Sequence, residues 1–244
     1  MKLIIIIAAI FSFSPLFSQD LNDLEELRKR GEKYRAESNY DSALIAFRQI
    51  SDLAEERGDI EFQIRSAIGS AAVFFELRDT DLAREYYYKA IDLSQTIDNK
   101  RLENNAWYGI GGTHQLDENL DSALFYYNKA KILFEEEENT EMVSSLLANI
   151  ASIYYSTGEY ILAIEKSIES KKINLETKQY RFVGADYRRL GLIYLKLGGY
   201  DSAKYFHEKA FELADSMNYL SDAREALISL ASLAEEESDF ERAY

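Results

Sequence analysis

Cysteine is absent from this 244-residue chain, and proline occurs once, at Pro15. The first absence excludes disulfides and thiolate metal sites, but it leaves the redox compartment open, since an oxidising compartment permits disulfides without requiring them. Histidine occurs only at His114 and His207, too far apart in sequence to form a local catalytic or metal-binding pair. Basic side chains are in deficit: 28 Lys and Arg stand against 43 Asp and Glu, a formal net charge of −15. A surface of that sign repels phosphate backbones and anionic headgroups, so neither nucleic acid nor a membrane surface is an expected partner of the mature segment. A basic or neutral partner is favoured instead.

The chain has little uninterrupted apolar sequence. Lys2 precedes the apolar run Leu3 to Phe13, followed by Ser14, Pro15 and Leu16-Phe17-Ser18-Gln19 before the acidic sequence from Asp20. Even extended through Phe17, the run is about fifteen residues, below the roughly twenty of a spanning helix. A positive start, a short apolar core and a small residue before a cut site describe a secretory signal peptide over residues 1–19, cleaved after Ser18 or Gln19 rather than kept as an anchor. The mature protein is therefore expected to be exported, periplasmic or extracellular.

What the chain does have is a period. Alanine returns every forty residues, at Ala43, Ala83, Ala123, Ala163, Ala203 and Ala243. A second column of small residues, Gly31, Ala71, Gly111, Ala151, Gly191 and Ala231, runs twelve residues ahead of it. Aromatic columns share the register: Tyr34, Phe74, His114, Tyr154 and Tyr194, then Phe47, Tyr87, Tyr127, Ser167 and His207. Self-similarity at this spacing marks a solenoid, in which each unit buries its apolar face against its neighbours.

Each period divides into two helices. Leu146, Leu147, Ile150, Ala151, Ile153 and Tyr154 recur at helical spacing and form helix A; after Thr157-Gly158-Glu159, Tyr160, Ala163, Ile164, Ser167 and Ile168 form helix B. Equivalent breaks fall at Ser38-Asn39, Arg78-Asp79, Glu118-Asn119, Gly198-Gly199 and Ser238-Asp239. Asn or Asp ahead of helix B in four of the six supplies an N-cap acceptor. The small columns are read as facing each other within a pair, where two helix axes approach closely. A bulky residue at Ala123 should then overpack, whereas Glu137→Leu, on a solvated helix end, should change little.

Few residues suggest chemistry. His114 and His207 sit in core columns and are read as packed histidines. Gly109, Gly111 and Gly112 lie inside a helix A rather than in a strand-to-helix phosphate loop. The acidic runs Glu135 to Glu138 and Glu235 to Glu237 point in several directions around a helix and form no acid/base pair. Of Tyr86, Tyr87 and Tyr88, only Tyr87 is in a core column. No catalytic residue, metal site or cofactor is expected.

Leu147, Ile150, Ala151, Tyr154, Gly158, Tyr160 and Ala163, then Tyr187, Leu190, Gly191, Tyr194, Gly198, Tyr200 and Ala203, resemble the tetratricopeptide repeat in order and spacing. Trp107, Ile110, Gly111 and Ala123 fit the same pattern. The resemblance covers residues 20–244. The unit is about six residues longer than the commonest form and no proline closes helix B, so the chain is similar to the forty-residue-period subtype found in signalling scaffolds and peptide-sensing regulators.

The resemblance implies an all-α, right-handed superhelix, a solenoid of antiparallel helix pairs, with units at about 20–59, 60–99, 100–139, 140–179 and 180–219 and a partial one at 220–244. Ala243 falls in the first turn of a sixth helix B, so a C-terminal remainder is expected beyond Tyr244. The family binds proteins or peptides on a concave groove lined by helices A, which here implies Arg65, Asn105, Tyr108, Gln115, Asn149, Ser152, Tyr155, Arg188 and Arg189. Tyr108 and Tyr155 are read as stacked aromatics. Asn149 and Arg189 share a column and partly match the family's carboxylate clamp, although Lys29, Gly69, Gly109 and Ser229 in that column lack its full lysine set. The expected function is a non-enzymatic exported interaction scaffold; the alternative is the input domain of a larger signalling protein.

Overall fold

The computed structural model describes the backbone of residues 15–243 and the side chains of residues 23–235. The apolar run of the expected signal peptide, through Ser14, lies outside the described residues. Eleven helices and no strand occur among them: α1 Pro15–Ala36, α2 Tyr40–Arg57, α3 Ile60–Glu76, α4 Thr80–Thr96, α5 Lys100–Leu116, α6 Leu120–Glu136, α7 Thr140–Ser156, α8 Tyr160–Glu176, α9 Tyr180–Lys196, α10 Tyr200–Ser216 and α11 Leu220–Ala243. The all-α helix-pair fold expected from the period is the fold observed. Two compact units divide at Leu102, within α5. In the first, α1 to α4 pack each on the next and α1 also touches α3; in the second, α6 to α11 do the same, with α7 against α9 and α9 against α11.

The backbone repeats at half the interval of the sequence. Residues of positive φ occur every twenty positions from Ser38 and Gly58 to Gly198 and Asn218, so A-to-B and B-to-A turns share one geometry. Each short turn closes its helix with a left-handed residue, after which the next amide donates back across the turn, as Asn39 N–H does to the Tyr34 carbonyl at 2.8 Å. That same residue opens the following helix. Asn39 and Asp79 cap helices B as expected, and Asp59, Asn99 and Asn139 cap helices A in the same way. Asn119 stands at the N-cap of α6 but its side chain makes no capping bond.

The expected break at Ser238-Asp239 is not observed, because α11 continues to Ala243. Neither Ser238 nor Asp239 forbids helix, and a turn here would give up backbone hydrogen bonds of a helix already propagating.

The alanine column is the seam of each pair: Ala43, Ala83, Ala123, Ala163 and Ala203 are fully buried. The other small column faces something different from what the register alone implied. A Cβ placed on Gly31 would lie 3.0 Å from the Phe47 ring, on Gly111 2.5 Å from Tyr127, and on Gly191 2.5 Å from His207. At Gly31, Gly111 and Gly191 glycine in helix A therefore makes room for a ring of helix B sixteen residues later, while Ala151 stands opposite Ser167 and Ala71 opposite Tyr87. Around these contacts the cores close, with Phe47 and Ile50 in the first unit and Phe134, Leu146 and Ile153 in the second fully buried. Each such side chain contributes about 1.5–3 kcal/mol of transfer free energy.

Two placements correct the sequence reading. His114 is only half-buried, stacked on Tyr126 with centroids 5.2 Å apart. Glu137 is not a free solvated acid: it accepts from the buried Asn104 amide at 2.5 Å.

Candidate binding site

Helices α7 and α9 lie side by side in the second unit, and a depression of about 240 Å³ opens between them. It is lined by Ser152 and Tyr155 from α7 and by Ala185, Arg188, Arg189 and Leu192 from α9. Four of the nine groove residues named from sequence are thus brought together. The reason is helical geometry: positions three or four apart share a face, and adjacent A helices present the same face in register.

The polar groups here are held rather than loose. Arg188 pairs with Glu225 at 2.9 Å and approaches Asp222 at 3.5 Å, both on α11, while Arg181 also reaches Asp222 at 3.1 Å. Arg189 donates to Asp186 at 2.6 Å. Ser152 donates to the Ala148 carbonyl at 3.0 Å, and the Tyr155 ring lies 6.0 Å from Tyr160.

Beneath Arg189 is a polar network that the periodicity could not show. Asp186 is 1% exposed and accepts from Asn174 at 2.8 Å and Ser170 at 3.2 Å, while Ser170 lies 3.1 Å from the Ser144 carbonyl. Burial pushes the Asp186 carboxyl above the ordinary aspartate range, opposed by Arg189 and then by the hydrogen bond from Asn174. The one sequence signal was Asp186 itself, an acid where the repeats on either side carry Leu146 and Ala226, although the first repeat has Glu26 at the same position.

The other named residues lie elsewhere. Asn149 donates to the Tyr108 hydroxyl at 3.2 Å, and the Tyr108 ring pairs with Tyr127 at 5.9 Å rather than with Tyr155. The expected stack of Tyr108 on Tyr155 is therefore not formed, because each ring turns to a nearer partner on the adjacent helix B. Gln115 accepts from the Tyr127 hydroxyl at 2.7 Å, and Asn105 is half-buried on α5. Arg65 belongs to the first unit, where it pairs with Glu61 at 2.5 Å. Asn149 and Arg189 each bond within the fold, to Tyr108 and Asp186 respectively, so the two do not form an open carboxylate clamp. Among the described residues no group of His, Asp and Glu is arranged to hold a metal ion, and no helix is long and apolar enough to cross a membrane.

Comparison with known proteins agrees with the helix-pair architecture. Family models of the tetratricopeptide repeat match residues 141–216 and 65–97. No curated protein matches the chain in sequence. Among solved structures, the apo form of RapI is similar with a TM-score of 0.73 at 16% identity, over 91% of this chain and 84% of RapI. A Signal Transduction ATPase with Numerous Domains bearing a tetratricopeptide repeat sensor, from Pyrococcus horikoshii, is similar with a TM-score of 0.73 at 16% identity over 89% of this chain, which spans 34% of that protein. A Rap protein complexed with Competence and Sporulation Factor is similar with a TM-score of 0.67 at 18% identity, over 91% of this chain and 69% of that one. At these identities the likeness is one of fold. Register, helix pairing and family models agree that residues 65–97 and 141–216 carry tetratricopeptide repeats.

Proposed function

We propose that the protein is an exported interaction scaffold that holds a segment of a protein or peptide in the depression between α7 and α9. The observation that supports this is the convergence of Ser152, Tyr155, Arg188 and Arg189 around about 240 Å³ of open space. Tyr155 and Leu192 supply apolar contact, and the two guanidinium groups supply forked donors for carboxylate or backbone carbonyl. Both arginines are already paired with acids of the fold, so a ligand carboxylate would compete with Glu225 and Asp186 for them. That competition favours recognition of an extended segment over capture of a single terminal carboxylate. The solved Rap complex with a bound factor is consistent with such a role for this kind of fold.

Selection of a random peptide library on the whole chain tests the site, with Tyr155→Ala and Arg188→Ala variants as counter-targets. Peptides from the wild-type protein should bind each variant at least about tenfold more weakly, a change of roughly 1.4 kcal/mol. Equal binding to all three proteins would remove the site. Export is tested separately by the mature N-terminus: cleavage after Ser18 or Gln19 is expected, and a retained Met1 would overturn it.

A further inference from the structure

The first unit contains a cleft of about 320 Å³ that the register explains as a missing side chain. Its floor on α3 is made by Ser66, Ala67 and Ser70, all buried, and its walls by Leu44, Phe47, Phe74 and Tyr86. Exposed Arg48 and Asp52 on α2 and Lys89 on α4 stand at its mouth. At the position of Ala67 the later repeats carry Trp107, Leu147 and Tyr187, and at that of Ser70 they carry Ile110, Ile150 and Leu190. Two core side chains present in every later complete repeat are thus reduced to a methyl and a hydroxymethyl, and the neighbouring structure has not closed over the space.

The next repeat shows what the space is shaped for. In the second unit the Trp107 ring lies 5.6 Å from Tyr126, nearly parallel at 11°, while Tyr126 also stacks on His114. The Lys129 ammonium sits 3.3 Å from the Trp107 ring centroid, and the indole N–H donates to Glu103 at 3.2 Å. One period earlier the same frame is present without the indole. Tyr86 stands for Tyr126, Phe74 for His114, Lys89 for Lys129 and Gln63 for Glu103. Phe74 and Tyr86 already pair at 5.4 Å.

We propose that this cleft is a binding site for an indole ring, supplied by a tryptophan side chain of a partner peptide or protein. The occupant stacks beside Tyr86, on the pattern of Trp107 beside Tyr126. Its electron-rich face complements the ammonium of Lys89, an attraction that strengthens when the cation is partly desolvated. The volume is sufficient, since about 150 Å³ of apolar space holds a benzene ring and small-ligand pockets begin at about 300 Å³. Aliphatic occupants would fill the space without using the cation or the aromatic wall. The cleft is built from α2, α3 and α4 and shares no residue with the α7/α9 depression, so either site can fail without the other.

The test is a titration of the whole chain with N-acetyl-tryptophanamide, read by calorimetry or by chemical-shift changes, together with three variants. Saturable binding is expected for the wild-type protein. Ala67→Trp places an indole in the slot and should weaken binding at least about tenfold without lowering the melting temperature. Ser70→Ile should also weaken it, and Lys89→Ala should weaken it about threefold. Absence of saturable binding, or binding unchanged in Ala67→Trp, overturns the proposal. So does unfolding of Ala67→Trp, because a slot that cannot accept the chain's own indole cannot accept a partner's. Tighter binding of free tryptophan than of the blocked amide would assign the site to the amino acid and overturn the peptide source.

Discussion

Gly191 and His207 show how much one residue decides here. The histidine ring occupies the place that Phe47 and Tyr127 fill in other repeats; it is fully buried, and neither ring nitrogen finds a hydrogen-bond partner among the described residues. Burial, and then the charge of Arg188, hold its pKa below the ordinary histidine value. The unfolded chain therefore takes up a proton near pH 6.5 that the native chain resists, so stability present above that pH is lost as pH falls through it. We predict that His207→Phe raises stability by about 1 kcal/mol by removing unpartnered polar atoms. It should also flatten the dependence of the melting temperature between about pH 7.5 and pH 5.5; a slope equal to that of the wild type would contradict the assignment. Gly191→Ala should do the reverse. Its new Cβ would fall 2.5 Å from the imidazole, an overpacking that costs about 1–3 kcal/mol in denaturant titrations.

Between elements, the decisive contacts are the polar ones that cross from helix to helix. Asp186 on α9 is tied to Ser170 and Asn174 on α8 and balanced by Arg189. Removing the arginine leaves a buried acid without its counter-charge, held only by Ser170 and Asn174, so Arg189→Ala should destabilise by about 3 kcal/mol. Adding Asp186→Asn should recover much of that loss; a strictly additive double variant would refute the coupling. Glu137, just past α6, is the second case. Its bond to Asn104 on α5 is the buried amide's partner, and the Asn104 carbonyl oxygen already has none among the described residues. Glu137→Leu is therefore expected to cost about 1–3 kcal/mol by thermal melting, where a solvated acid would have been nearly neutral.

For the molecule as a whole, the repeat architecture sets how damage spreads. A repeat array is held by local units and nearest-neighbour interfaces, so a lesion should be felt first by the helices that touch it. Hydrogen exchange on Gly191→Ala should show protection lost in α9 and α10 while α2, α3 and α4 keep theirs. Equal loss throughout would indicate a single cooperative core instead. The net charge of −15 acts over the same scale. It disfavours anionic polymers as partners and gives local significance to clustered cations such as Arg188 with Arg189.

The sequence by itself determined the architecture, because a solenoid's core contacts recur at a fixed spacing. Ala123 in one repeat and Ala163 in the next occupy equivalent seams, and the column predicts the helix pairs through Ala203 though not the break before Ala243, where α11 continues. Helix identity was legible for the same reason, and so was the face carrying Ser152, Tyr155, Arg188 and Arg189. Tertiary structure alone decided what those side chains touch. Arg189 turns to Asp186 and Asn149 to Tyr108, because long polar side chains choose partners by distance across helices rather than by register. It also showed that Gly31, Gly111 and Gly191 yield space to rings. And it showed that the gap at Ala67 and Ser70 stays open, since whether neighbours collapse into lost volume depends on how rigidly the surrounding helices are packed.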